Sequence, residues 1–189
     1  MPFWGLDLSG NCTVEAECEG QTEESGPLWS IVTWQYPARG SLPPVTMKWY
    51  DGGKRPPKPD GITDQQWKRM TTASMIVGEK GTMCGSNQQP PHVLGEYGKD
   101  LKPPPRTIPV SPGHYREWLD ACQGGKPSLD NFDYASSLTE TVLLGNVAIR
   151  SGKKIEWDAK QFKVTNAPEA NQYLRREYRK GWELPLVPA

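Results

Sequence analysis

From Phe132 to Arg150 the chain reads as one long helix, and its apolar pattern decides what the rest can be. Leu138, Val142, Leu144, Val147, Ala148 and Ile149 give it a wide apolar face, within which Gly145 permits close approach by another element. Gly152 suits the left-handed position just past a helix end, and Arg150, Lys153 and Lys154 suit the negative end of the helix dipole. A helix of this kind needs a partner layer to bury it, so it is the expected central core helix.

The partner layer is expected from the first part of the chain. Strands are predicted at Cys12–Cys18, Trp29–Tyr36, Val45–Tyr50 and Ser74–Val77, with a further one at Ile155–Trp157. In the first, Val14, Ala16 and Cys18 alternate with Thr13, Glu15 and Glu17, the two-residue period of a half-buried strand. Gly78-Glu79-Lys80-Gly81, set between Met75-Ile76-Val77 and Thr82-Met83-Cys84, reads as a hairpin turn. Strands cluster early and helices late. That order predicts an α+β fold: an open, largely antiparallel β-sheet with helices packed on one face.

Two more helices are predicted. One opens at Ser111-Pro112, with Ser as N-cap and Pro at the first helical position, and stops at Gly124-Gly125; its Trp118 and Cys122 share a face expected to point inward. The other runs from Asn166, with Glu169 in capping-box spacing, through Ala170, Tyr173, Leu174 and Tyr178 to Gly181. Its basic stretch Arg175, Arg176, Arg179 and Lys180 is read as a solvated helix face rather than an anion site. Phe3, Trp4, Leu6 and Leu8 open the chain as an apolar stub without a cap, so residues 1–8 are expected to be the remnant of a truncated helix and 9–189 a single domain.

Composition removes several function classes. Acidic and basic residues balance at 22 each with no run of like charge, so neither a nucleic-acid face nor a basic membrane-surface helix is present. No apolar stretch approaches the ~20 residues that cross a bilayer, and no charged leader precedes an apolar run; a cytoplasmic location is the default expectation, open if a longer parent carries an export signal. Four cysteines at 12, 18, 84 and 122 include no C-x-x-C pair and are read as buried thiols, with a disulfide or a metal site as the lesser alternatives. Neither a G-x-S-x-G elbow nor an H-E-x-x-H pair occurs, which leaves His92 and His114 without an identifiable catalytic or metal partner. His114, in the first turn of a helix, fits a structural role or a place facing a cleft. No G-x-G-x-x-G turn is present to cradle a pyrophosphate, so no cofactor is expected to bind this chain by itself.

Trp49-Tyr50-Asp51-Gly52-Gly53 is the strongest site candidate. A strand ends there in two aromatics and a carboxylate; aromatic faces stack on the C–H faces of sugars, and a carboxylate accepts from two hydroxyls. An ordinary strand end with a solvent-facing Asp51 fits the same residues equally well.

Ordered blocks over nearly the whole chain carry a resemblance. They are Tyr36-Pro37-Ala38-Arg39-Gly40, Trp49–Gly53, Ser111-Pro112-Gly113-His114 with Glu117-Trp118, and Asn131-Phe132-Asp133-Tyr134-Ala135. Leu138-Thr139-Glu140, Val142–Ala148, Lys154-Ile155-Glu156-Trp157-Asp158 and Thr165–Asn171 complete them. In these the chain resembles the C-terminal domain of the Gfo/Idh/MocA oxidoreductases (glucose–fructose oxidoreductase and inositol dehydrogenase among them), in the planctomycete-type branch. The resemblance implies a domain whose open sheet forms the substrate wall and commonly a subunit interface. It implies a two-domain enzyme, in which an N-terminal Rossmann domain binds NAD(P) and a hydride passes between the nicotinamide and a sugar or cyclitol carbon. The family's Glu-Lys-Pro motif is absent, Glu79-Lys80-Gly81 not being it, and the family's Asp/His motif lies upstream of the segment that Pro2–Leu8 resembles. No catalytic residue is therefore carried over.

The implied role is a substrate-side and assembly domain that is silent without a Rossmann partner; the alternative is a free-standing carbohydrate-binding or interaction module. Trp49, Tyr50, Asp51, His114 and Arg39 are the substrate-binding candidates, a sugar-like small molecule the expected ligand, and a homo-oligomer through the sheet face the expected assembly.

Overall fold

The computed structural model describes residues 2–70, 73–86 and 90–183; Met1 and 184–189, the ends of the two expected spans, lie outside the described residues. In chain order the elements are α1 (Pro2–Gly5), β1 (Cys12–Glu19), β2 (Trp29–Tyr36), β3 (Val45–Asp51), α2 (Asp64–Arg69), β4 (Ser74–Gly78) and β5 (Gly81–Gly85). There follow β6 (His92–Val93), α3 (Glu96–Lys99), α4 (His114–Cys122), α5 (Phe132–Ser151), β7 (Ile155–Asp158), β8 (Lys163–Val164) and a 3-10 helix at Pro168–Leu174. The fold is α+β and every strand pairing is antiparallel. The chain divides into two compact units, Met1–Gly5 with Pro57–Tyr134, and Leu6–Pro56 with Ala135–Ala189.

The second unit holds a five-stranded sheet in the order β3-β2-β1-β7-β8. Alternation fixes which face is buried. On β1, Cys12 and Val14 are buried while Glu15, Glu17 and Glu19 are exposed. Val14 lies opposite Trp34 on one side and Ile155 on the other, so the inward-facing rows of three strands meet. Val14, Val32, Trp34, Tyr36, Ile155 and Trp157 are all buried, and α5 covers them.

The helix presents Thr141, Leu144, Gly145, Val147 and Ala148 to this core, a stripe at three- and four-residue spacing. Gly145 is essential to the approach: a Cβ there would sit 2.8 Å from Cζ2 of Trp34 and 3.4 Å from Cγ1 of Val32. A side chain on a helix leans over the preceding turn, so the bare position also uncovers the Thr141 carbonyl. The Trp34 indole N–H donates to that carbonyl at 3.1 Å. The Tyr36 hydroxyl meets Thr141 Oγ1 at 3.3 Å, and the Trp157 indole N–H donates to Glu140 Oε1 at 2.6 Å. Three aromatics from two strands thus lock one helical turn in register. Val142, expected in the apolar face, is displaced to the surface, because Thr141 takes the stripe position where a hydroxyl can meet Tyr36.

The predicted helix from Asn166 to Gly181 does not form. Asn166 accepts from the Glu156 N–H at 2.7 Å and donates to the Lys154 carbonyl at 2.9 Å. Asn171 does the same for Val164, accepting at 2.8 Å and donating at 3.0 Å. These two amides act as single-residue strands that satisfy the open backbone beside β7 and β8, and that use excludes a regular helix through them. Only the 3-10 turns at Pro168–Leu174 remain, with Ala167 and Ala170 buried beneath, before Arg175 turns extended.

The first unit carries the sheet β4-β5-β6, and Glu79-Lys80 joins β4 to β5 in the hairpin read from the sequence. Helix α2, missed in the sequence, opens on a capping box: Thr63 Oγ1 accepts from Gln66 N, and Gln66 Oε1 accepts from Thr63 N. Helix α4 starts two residues later than predicted. Gly113 at φ 106° cannot be helical, so Ser111 accepts from the Gly113 N–H in a turn ahead of the helix instead of capping it. Trp118 and Cys122 are exposed, against expectation, because no described element covers that face of α4. Phe3 packs edge-on against Tyr134 with ring centroids 6.0 Å apart.

Gly145→Ala is the direct test of the helix–sheet contact. Ala gains roughly 1 kcal/mol of helix propensity, but crowding an anchored indole costs about 1–3 kcal/mol. Urea denaturation is expected to show a net loss of up to about 2 kcal/mol, and a variant more stable than the parent refutes the packing described.

Candidate functional site

One row of side chains crosses the face of the five-stranded sheet that α5 leaves open. Thr46, Gln35, Thr13 and Glu156 stand directly opposite one another in neighbouring strands, Thr46 on β3, Gln35 on β2, Thr13 on β1 and Glu156 on β7. Strands lie about 4.8 Å apart, so the row spans roughly 14 Å. It lies in an open groove of about 620 Å³.

The walls are set by backbone chemistry. Pro37 and Pro44 flank the groove from the β2–β3 connection. Arg39 and Leu42 exchange both backbone hydrogen bonds across that connection at 3.0 and 2.9 Å. The Arg39 guanidinium donates to the Pro37 carbonyl at 2.8 Å and the Leu6 carbonyl at 3.1 Å. On the other side Thr165 Oγ1 donates to the Glu156 carbonyl at 3.2 Å, and Asn11 Oδ1 accepts from the Ala159 N–H at 3.0 Å.

The row is rich in uncommitted polar groups. Thr13 donates to Gln35 Oε1 at 3.4 Å, so the Gln35 amide N–H groups remain as donors on the exposed face. No hydrogen bond or ion pair joins the Glu156 carboxylate to another side chain among the described residues. Hydroxyl, amide and carboxylate on a flat backing are what a polyhydroxylated molecule can pair with, each sugar hydroxyl both donating and accepting.

At the strand ends bordering the groove are Cys12, Tyr36 and Trp157. Burial, with the Glu140 carboxylate nearby, pushes the Cys12 thiol from its ordinary 9.0 up to about 12. Burial likewise drives the Tyr36 phenol upward, against a smaller opposing effect of its Thr141 hydrogen bond. Both stay uncharged at neutral pH, and the carboxylates lining the groove are those of Glu156 and Asp158. The Asp158 carboxylate is partly engaged, accepting from the Gln161 N–H at 2.9 Å.

The residues singled out in the sequence are placed elsewhere. Trp49 and Asp51 lie on the helix side of β3 and Tyr50 on the open side, since successive strand residues alternate; the three do not converge. Asp51 Oδ1 accepts from the Gly52 N–H at 2.7 Å, and a Cβ on Gly52 would lie 2.1 Å from the Leu28 carbonyl oxygen, so this is a tight turn against the start of β2. It sits at the far end of the strand from the groove, about 20 Å away at ~3.3 Å per residue. His114 belongs to the other unit, exposed beside the Tyr115 ring at 4.2 Å. Arg39 is the exception: it braces the loop that walls the groove. The row itself was hidden in the sequence because Thr13, Gln35, Thr46 and Glu156 become neighbours only through register, although each is the polar partner in an alternating strand.

Among the described residues no group of three or more His, Cys, Asp or Glu could hold a metal ion, and no helix is long and apolar enough to cross a membrane. No protein-family model matches the chain, and no curated protein matches it significantly.

The raised Cys12 value predicts alkaline behaviour. An unfolded thiol ionises near 9 while the folded one holds its proton to about 12, so the folded state binds the proton more tightly. Stability is then full below pH 9 and falls as pH rises toward 12. Denaturation across that range is expected to show a shallower fall in Cys12→Ala than in the parent; identical slopes count against it.

Proposed function

We propose that this chain is the substrate-side and subunit-assembly domain of an NAD(P)-dependent sugar or cyclitol oxidoreductase, working with a separate Rossmann domain. The observation that carries the reading is the row Thr46, Gln35, Thr13 and Glu156 in a groove on the open sheet face, the face that the family resemblance assigns to substrate. Glu156 accepts from two vicinal hydroxyls, and the Gln35 amide donates to a ring or hydroxyl oxygen, which fixes the polyol flat against the sheet. Orientation of this kind lowers the barrier to hydride transfer by holding the reacting carbon in place. A nicotinamide held by the Rossmann domain would supply the hydride acceptor.

Two surfaces support assembly. Farther along the open face Ile31 lies between Tyr50 and Glu17, and Trp29 donates to Glu19 at 3.0 Å beneath the Lys54 ammonium, a mixed apolar and charged band that a second copy of the sheet could pair with. In the other unit Tyr115 and Trp118, three apart on α4, are exposed at 63% or more, an aromatic helix face open to a partner. A free-standing carbohydrate-binding module rests on the same groove without the second surface.

Titration of the chain with myo-inositol and with glucose, followed by amide chemical shifts, is expected to show saturable changes confined to residues around Thr13, Gln35 and Glu156. A hydrogen bond to a charged group is worth about 1.5–3 kcal/mol, so Glu156→Gln is expected to weaken binding by roughly tenfold or more. Trp49→Ala and Asp51→Ala leave it unchanged. Calorimetry with NAD(P) is expected to show no binding by the chain alone; micromolar affinity overturns the proposal. Sugar binding with no gain of dehydrogenase activity on adding any Rossmann domain favours the free-standing module.

A further inference from the structure

A second cleft lies where α5 meets the end of the 3-10 turns. Its helical wall is the stripe Glu140, Leu143, Val147 and Arg150, spaced three and four residues apart. Its other wall is Tyr173, Leu174 and Arg175, and it encloses about 350 Å³, within the size range of small-ligand pockets.

Three observations give the cleft a chemistry. First, its surface is apolar where proteins usually place polar groups: Leu143, Phe162 and Tyr173 are each 41–52% exposed there. Second, Phe162 holds a left-handed backbone at φ 48°, a conformation bulky residues rarely adopt. Its ring stands edge-on to Trp157 with centroids 5.0 Å apart, so the strained turn keeps an aromatic at the mouth of the cleft where Asn or Gly would relieve the backbone. Third, the charges are separated. Glu140 is committed to the Trp157 indole N–H, and Arg150 lies ten residues along the same stripe, about 15 Å away at 1.5 Å per residue. Arg150 spends one N–H on the Thr22 carbonyl at 3.5 Å. Among the described residues no hydrogen bond or ion pair engages Arg175.

We infer that this cleft is a binding site for a small amphipathic monocarboxylate, an aryl or short acyl acid. Its apolar body packs between Leu143, Phe162 and Tyr173, and its carboxylate takes the guanidinium of Arg175, with Arg150 a second cation in the lining. Arginine suits this role because its planar fork pairs both carboxylate oxygens at once. The site is separate from the polyol groove, and its existence does not depend on the function proposed above.

The test uses the whole chain and the indole N–H signal of Trp157, identified by its loss in Trp157→Phe. Titration with phenylacetate and with hexanoate is expected to shift that signal saturably in the millimolar range or below. Phenylacetamide, equal in shape and uncharged, is expected to bind at least fivefold more weakly. Arg175→Gln, at an exposed position, is expected to keep the parent's melting temperature and lose at least fivefold in carboxylate affinity, with Leu143→Ser weakening acid and amide alike. No saturable shift with either acid, or equal binding by acid and amide, overturns the proposal, as does an Arg175→Gln variant that binds like the parent.

Discussion

The close seat of α5 on the sheet is the constraint from which the second unit follows. Gly145 removes a side chain at the point where the Trp34 ring arrives, and the Thr141 carbonyl is thereby left open to the indole N–H. Tyr36 and Trp157 complete the lock on the same turn. Burying a Trp or Tyr leaves a penalty unless its polar atom finds a partner. Each of the three finds one on residues 140–141, so packing and hydrogen bonding select a single helix register. Because Trp34, Tyr36 and Trp157 are drawn to the helix side, alternation sends Gln35 and Glu156 to the other face. The groove's polar row is the reverse side of the core.

How much of this was legible depends on whether the information is local. The apolar helix, Gly145 as a point of approach, the alternation of β1 and the hairpin at Glu79-Lys80 are written in periodicity and turn chemistry, and the structure has them. Where a residue had two uses, reading by propensity failed. Asn166 followed by Glu169 is a fair helix start, yet the amide is taken by the Glu156 N–H and the Lys154 carbonyl. Ser111 before Pro112 is a fair N-cap, yet Gly113 breaks the geometry one residue on. The capping box at Thr63 and Gln66 was available to a careful reading.

The candidate site was less legible than the fold. Trp49, Tyr50 and Asp51 attract notice because they are adjacent and chemically rich, but adjacency along a strand divides side chains between two faces. Thr13, Gln35, Thr46 and Glu156 are unremarkable one by one and gain meaning only from cross-strand register. Arg39, singled out within a sequence block, proves to be a brace: its guanidinium ties the groove's loop to the Leu6 and Pro37 carbonyls.

The division of the chain has a kinetic meaning. The second unit is assembled from two separate stretches, Leu6–Pro56 and Ala135–Ala189, with Val14 paired to Ile155 and Pro57–Tyr134 of the first unit in between. During synthesis β1, β2 and β3 emerge early as a meander whose inner row has no cover, and it waits for α5 and β7 to appear. Loop-closure entropy must be met before that pairing returns any free energy, which makes closure of the sheet a late and slow event. Until then Val14, Val32 and Trp34 are open to solvent, and the interval is when the nascent chain is most prone to aggregate.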